Sequence, residues 1–478
     1  MPLTIDVTTS TLNTGPSLKT TEGVSRPWRL VLRAVRAPQS RSLSPRALLY
    51  AFAALIVAGA VVLSLPACAA GGVRTGFLDA LFTSASAVCV TGLVVVDTGT
   101  HWTPLGQAVV MLLIQVGGFG FMTSATLLLL AFGRRIGLRG RLLIGEAIGA
   151  THPGGLISLI RRMALFALLS EVIGALVLFV RYAGSLGMGR GAWFAVFHSV
   201  SAFNNAGFDI YGDFISLTAQ MEDPVIVVTI LVLLVVGGFS FVALANIASQ
   251  RRFSRLTLDT KLVATTSCIL LLVGTLVYLI AESANPETLG TLSFPEKLVC
   301  ALFQSATPRT AGFTTVNIGA MHEYTLLFTM FLMFIGGAAG STAGGIKVNT
   351  FGLLIATVVS TLRGRQQAEA FGRRFNLEHV FRALAVVLLA LTFLAVVILI
   401  LAYTEETDVL NTAFEAVSAF ATVGLSTGIT PGLSEAGRVV VIVTMFVGRL
   451  GPLYVALALV QRQRVREYQY PVESVRIG

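Results

Sequence analysis

The chain has 478 residues, 55% hydrophobic and 12% charged, with a mean hydropathy of +0.81. Soluble domains carry about 25% charged residues, so a soluble globular protein is excluded and an all-α integral membrane protein is implied. The net charge of +10 does not indicate nucleic acid, because 26 of the 34 Lys and Arg lie on one side of the apolar segments, as seven before the first, six in 134–162, four in 251–261, five in 363–382 and four after Gln461. Basic residues gather on the cytoplasmic side of a membrane.

Residues 1–46 read as a polar cytoplasmic tail, without the apolar core of a signal peptide. Within it, Trp28–Arg36 reads equally as an amphipathic surface helix or a basic flank. A spanning helix needs about 20 apolar residues. From Ala47 the order is long helix, short helix, turn, long helix: Ala47–Pro66, Gly76–Val90 and Leu105–Phe132. It recurs as Leu156–Val180, Trp193–Phe203, Pro224–Ser249, then as Leu262–Ile280, Pro295–Thr307, Tyr324–Leu362, and last as Val380–Tyr403, Val409–Phe420, Val439–Val460. The expectation is eight spans and four re-entrant half-helices, with both termini cytoplasmic. Four pseudo-symmetric helix–pore loop–helix repeats would surround one central pore. The segments are tail 1–46, repeats 47–133, 134–250, 251–362 and 363–461, and tail 462–478.

The turns carry the functional signal. Cys89-Val90-Thr91-Gly92, Asn204-Asn205-Ala206-Gly207, Arg309-Thr310-Ala311-Gly312 and Ala421-Thr422-Val423-Gly424 each close on Gly. A Phe precedes that Gly by ten residues at Phe82, Phe197 and Phe414, and by nine at Phe303. Such fixed-offset repetition defines a repeat architecture. Polar backbone at membrane depth is tolerated where it lines a cavity, and extended carbonyls on an axis can replace the water around a cation. Half-helix C-termini aimed at the axis would favour positive charge. Fifteen of the 24 acidic residues fall on the outer side, where they would concentrate cations.

Two asymmetries follow the turns. Val116-Gly117-Gly118, Val236-Gly237-Gly238 and Ile335-Gly336-Gly337 match one another, whereas the fourth copy reads Val447-Gly448-Arg449. Arg449 therefore replaces a Gly inside a span, and an intramembrane Arg is a functional candidate. The third copy continues as Gly336, Gly337, Gly340, Ser341, Thr342, Gly344, Gly345 and Lys347, a run unsuited to a straight helix. It lacks the spacing of a phosphate-binding loop. A gate of this loop and Arg449 is one reading; a kink and an Arg bonded to carbonyls is the other. Glu171 is the acid expected inside a span. The four cysteines read as small hydrophobes. A membrane enzyme would need clustered Asp, His or Glu, which the apolar segments lack.

The four Gly turns, the stretch Phe303–Phe313, the Gly-rich break and Gly448-Arg449-Leu450-Gly451-Pro452-Leu453 together resemble the Trk/Ktr/HKT superfamily of potassium transporters over about residues 47–460, closest to the Ktr-type membrane subunits. The resemblance implies that the four turns form a potassium filter, since all four closing residues are Gly. A sodium or unselective transporter on the same scaffold is the alternative. It also implies that the loop at 336–345 and Arg449 gate the path, and that the chain forms a homodimer in the plasma (bacterial inner) membrane. A separate cytoplasmic ring of nucleotide-binding, RCK-type (KtrA-like) subunits would regulate it. Potassium would be the transported ion and sodium a stimulating one, with no cofactor.

Overall fold

The computed structural model describes residues 45–120, 156–221 and 223–451. Helices dominate. The first repeat comprises α1 (Pro45–Leu63), α2 (Phe77–Cys89) and α3 (Pro104–Gly118). The second comprises α4 (Leu156–Leu186), α5 (Met188–Phe203), α6 (Pro224–Gly238) and α7 (Phe241–Gln250). The third comprises α8 (Leu258–Glu282), α9 (Phe294–Ala306), α10 (Glu323–Phe334) and α11 (Val348–Leu362), and the fourth α12 (Leu377–Thr404), α13 (Val409–Ala421) and α14 (Glu435–Leu450). A two-residue hairpin, β1 (Glu369–Ala370) with β2 (Arg373–Arg374), precedes α12. Helices α4, α8 and α12 are long and apolar enough to cross a membrane. The half-helices α2, α5, α9 and α13 have 13, 16, 13 and 13 residues, too few to cross.

The repeated Phe residues explain how each half-helix is held. Phe82, Phe197, Phe303 and Phe414 are all fully buried. In three repeats a hydroxyl two residues on binds a carbonyl of the preceding long helix: Ser84 to Ile56 at 2.7 Å, Ser199 to Glu171 at 2.6 Å and Ser305 to Leu271 at 2.8 Å. Ala416 takes this place in the fourth. The helix after each turn packs on the half-helix of the next repeat: α3 on α5, α6 on α9 and α10 on α13, while α14 returns to α2. The four repeats thus close into a cycle within one chain. Arg438 of α14 seals the last junction with an ion pair to Asp79 of α2 at 2.5 Å.

One expectation is corrected. The span expected over Pro224–Ser249 is two helices meeting at 94°. Gly237 and Gly238 disfavour a continuous helix, Ser240 caps the new one, and the freed carbonyls find other donors, described below. The segment Tyr324–Leu362 is two helices around a loop, in keeping with a Gly-rich run unsuited to a straight helix, with no kinked helix between them. Arg449 stands in the last turn of α14, which ends at Leu450. The tail at 1–44, including Trp28–Arg36, the continuation of Leu105–Phe132 beyond residue 120, and the segment from Pro452 onward lie outside the described residues. Cys68, Cys89 and Cys300 are buried, while Cys268 is exposed on α8.

Outside the spans, Glu405 at the end of α12 fixes the start of α14. It accepts Ser434 N–H at 2.9 Å and Ser434 Oγ–H at 2.6 Å. Burial pushes its carboxyl up, but these bonds, Thr404 and the Arg438 charge outweigh that and hold it below its ordinary value. A lowered pKa contributes stability above the unfolded value, near 4.3, that is lost as pH falls through the folded one. Thermal stability in detergent should therefore fall below about pH 4, and Glu405→Gln should reduce that acid sensitivity. Identical acid profiles for the two proteins would refute this role.

Candidate functional site

The four turns converge. Gly92, Gly207, Gly312 and Gly424 have φ of +90°, +71°, +76° and +91°, a region that side chains resist. A β-carbon on Gly92 would strike the Ala206 carbonyl oxygen and come within 3.0 Å of Gly207 Cα. One on Gly207 would lie 3.0 Å from the Ala311 carbonyl oxygen and 2.8 Å from Gly312 Cα. One on Gly312 would lie 2.6 Å from the Val423 carbonyl oxygen and 3.5 Å from Gly424 Cα. One on Gly424 would strike the Thr91 carbonyl oxygen, 3.1 Å from Gly92 Cα. The glycines therefore form a closed ring, each against the carbonyl preceding the next, in one rotational sense.

The local backbone repeats as well. Two residues before each Gly, Val90, Asn205, Thr310 and Thr422 have φ of 57°, 56°, 73° and 52°. A left-handed non-glycine residue costs roughly 1–2 kcal/mol, so the site holds this strain four times over. The N–H groups are tied to the half-helix ends: Thr91 to Ser86, Ala206 to Ser201, Ala311 to Thr307 and Val423 to Ser418, at 2.8–2.9 Å. Ser86 and Ser418 hydroxyls also accept Gly92 and Gly424 N–H. Ser201 and Thr307 hydroxyls donate to the Phe208 and Phe313 carbonyls. By contrast, the carbonyls of Thr91, Ala206, Ala311 and Val423 accept no hydrogen bond among the described residues. Donors fixed outward and acceptors left free suit a cation.

The expected filter side chains divide. Cys89 and Ala421 are the last residues of α2 and α13. Arg309 turns away to the Ser267 carbonyl on α8 at 3.2 Å. Asn204 caps α5 and donates to Gln115 at 2.9 Å and Glu171 at 3.0 Å, while Gln115 donates to both Glu171 oxygens at 3.0 and 3.1 Å. Glu171 thus anchors the second turn to α3. Asn204 and Glu171 stood out in the sequence, but their pairing across repeats carries no local signal.

In three of the four copies the first Gly of the motif follows from a close approach. A β-carbon on Gly117, Gly237 or Gly448 would strike the carbonyl oxygen of Val88, Phe203 or Phe420, each four residues before its ring glycine. Beneath the ring, residues 335–347 form a loop. Its neck is closed by Gly336 N–H to the Ile346 carbonyl at 2.8 Å and Val348 N–H to the Gly337 carbonyl at 3.1 Å. Gly344 abuts Thr422, and Gly345 lies against the Ala421 carbonyl. Thr342 donates to the Gly237 carbonyl at 2.9 Å, and Ala338 N–H to the Gly238 carbonyl at 3.1 Å. Ser341 and Lys347 bond loop carbonyls, Lys347 to Ala343 at 2.6 Å. Arg449 donates to the Thr342 carbonyl at 2.6 Å and to the Gly117 carbonyl. Arg449 therefore pairs with carbonyls, and those carbonyls belong to the loop and to the end of α3. Gly340 has φ of +75° in the same loop.

Residues 61–465 match the family model TrkH, described as a cation transport protein. The chain is 41% identical to the Ktr system potassium uptake protein B of Bacillus subtilis, over 91% of this chain and 96% of the relative. It is 39% identical to the potassium/sodium uptake protein NtpJ of Enterococcus hirae, over 92% and 98%. The crystal structure of the potassium transporter TrkH from Vibrio parahaemolyticus matches with a TM-score of 0.71 and 20% identity, covering 89% of this chain and 87% of that one.

Proposed function

This chain belongs to the TrkH family of cation transport proteins, which are transporters rather than enzymes, and we propose that it takes up potassium across the plasma membrane through the axis of its glycine ring. The observation that carries this reading is the ring itself: four left-handed glycines, each beside a carbonyl free of hydrogen bonds. The name of the Bacillus relative supports potassium as cargo. The loop at 335–347, bonded beneath the ring and latched by Arg449, is the gate. The basic side with both termini is cytoplasmic. The chain works as a homodimer on a ring of nucleotide-binding, RCK-type subunits, a reading consistent with relatives named as one protein of a Ktr system.

The alternative is sodium or unselective cation passage, favoured by the Enterococcus relative named for both ions. Rubidium uptake into proteoliposomes containing the full chain, challenged with external potassium or sodium, separates the two. Potassium should compete and sodium should not. Equal competition would leave the transport path standing and remove its selectivity.

A further inference from the structure

Each half-helix carries a buried polar residue directly after its Phe: Thr83, His198, Gln304 and Glu415, at 0%, 0%, 1% and 0% exposure. Three of them reach the strand that leaves the ring. His198 Nε2 accepts Ile210 N–H at 3.4 Å, three residues past Gly207. Gln304 donates to the hydroxyls of Thr314 at 2.9 Å and Thr315 at 3.3 Å, two and three residues past Gly312. Glu415 bonds the Thr430 hydroxyl, which shares a 2.9 Å hydrogen bond with the Ser426 hydroxyl, two residues past Gly424. Thr83 alone bonds its own helix, at the Asp79 carbonyl, 2.9 Å away. Chemically unlike side chains at one register position thus perform one geometric task.

This arrangement is costly. Gln304 Oε1 and Glu415 Oε2 are buried without a partner among the described residues, and such an atom costs about 1–3 kcal/mol. An apolar side chain would avoid that cost. Resting on the reading of the ring as a filter, we infer that Gln304 and Glu415 are positioning residues that fix the outer filter strands of the third and fourth repeats and thereby set ion preference. His198 serves the second strand through a single longer bond. Thr83 supplies no such brace to the first strand. The contribution is a hydrogen bond to the strand, not a charge beside the ion.

The test uses the full chain in proteoliposomes and reads rubidium KM, maximal uptake and sodium inhibition. Gln304→Leu and Glu415→Leu should each lower the preference for rubidium over sodium at least ten-fold, about 1.4 kcal/mol. Glu415→Gln should restore it, because an amide still accepts from Thr430. Thr83→Val should match wild type. Should a leucine variant fail to fold, Ser426→Ala and the double variant Thr314→Val/Thr315→Val cut the same braces from the strand side and should reproduce the loss. Unchanged preference in the leucine or strand-side variants would overturn the inference. So would Glu415→Gln as impaired as Glu415→Leu, which would identify the charge as the agent. Wild-type protein without potassium-sensitive rubidium uptake would instead bring down the filter reading itself.

Discussion

Gly92→Ser should admit sodium. The serine β-carbon would strike the Ala206 carbonyl oxygen, and its backbone would have to hold φ of +90°, at a cost of roughly 1–2 kcal/mol. The ring can relieve the collision only by moving the Ala206 carbonyl, and on the proposed reading of the ring as the ion path that shift loosens the selection against a smaller, more strongly hydrated ion. We expect sodium inhibition of rubidium uptake to strengthen about ten-fold or more, equivalent to ~1.4 kcal/mol. Gly424→Ser should behave alike, since its β-carbon meets the Thr91 carbonyl. Gly428→Ser is the control: φ is +100°, yet open space surrounds it, so strain without collision should leave selectivity intact. If sodium inhibition stays at the wild-type level in both ring variants, the four glycines do not select the ion.

Arg449→Ala should raise the initial rate of rubidium uptake. The guanidinium holds the loop at the Thr342 carbonyl and α3 at the Gly117 carbonyl. Hydrogen bonds from a charged donor contribute about 1.5–3 kcal/mol each. Losing one would multiply the population with the loop released by roughly ten to a hundred. Shortening the loop within Gly336–Gly345 should act in the same direction. Uptake unchanged in both variants would show that ions pass without displacing the loop.

Much of this was legible from the sequence because the repeats share short motifs. The Phe-to-Gly spacing located all four turns, and the turns proved to meet in one ring. The Gly-Gly pairs were visible too, but not their reason, which is contact with a carbonyl some 29 residues earlier in Val88–Gly117. For the same reason the break between α6 and α7 was missed. Pro224–Ser249 is apolar enough to span, and the carbonyls that end α6 are satisfied by Ala338 and Thr342, about a hundred residues away. Left-handed Asn205 is a familiar exception, whereas Val90, Thr310 and Thr422 resist that conformation by their branching and gave no warning. The buried polar residues after each Phe stayed hidden because Thr, His, Gln and Glu share no recognisable type.

The cyclic packing also fixes an order of events during synthesis. The half-helix α2 needs α14 as its neighbour, and Arg438 lies 359 residues beyond the Asp79 it pairs with. At about 5–20 residues per second, α2 waits on the order of tens of seconds in the bilayer before its partner leaves the ribosome. Over that interval the first repeat has polar turn backbone and no closed ring to shelter it. A chain stopped before α14 leaves α2 without its neighbour and the cycle open, even with three of its four repeats complete.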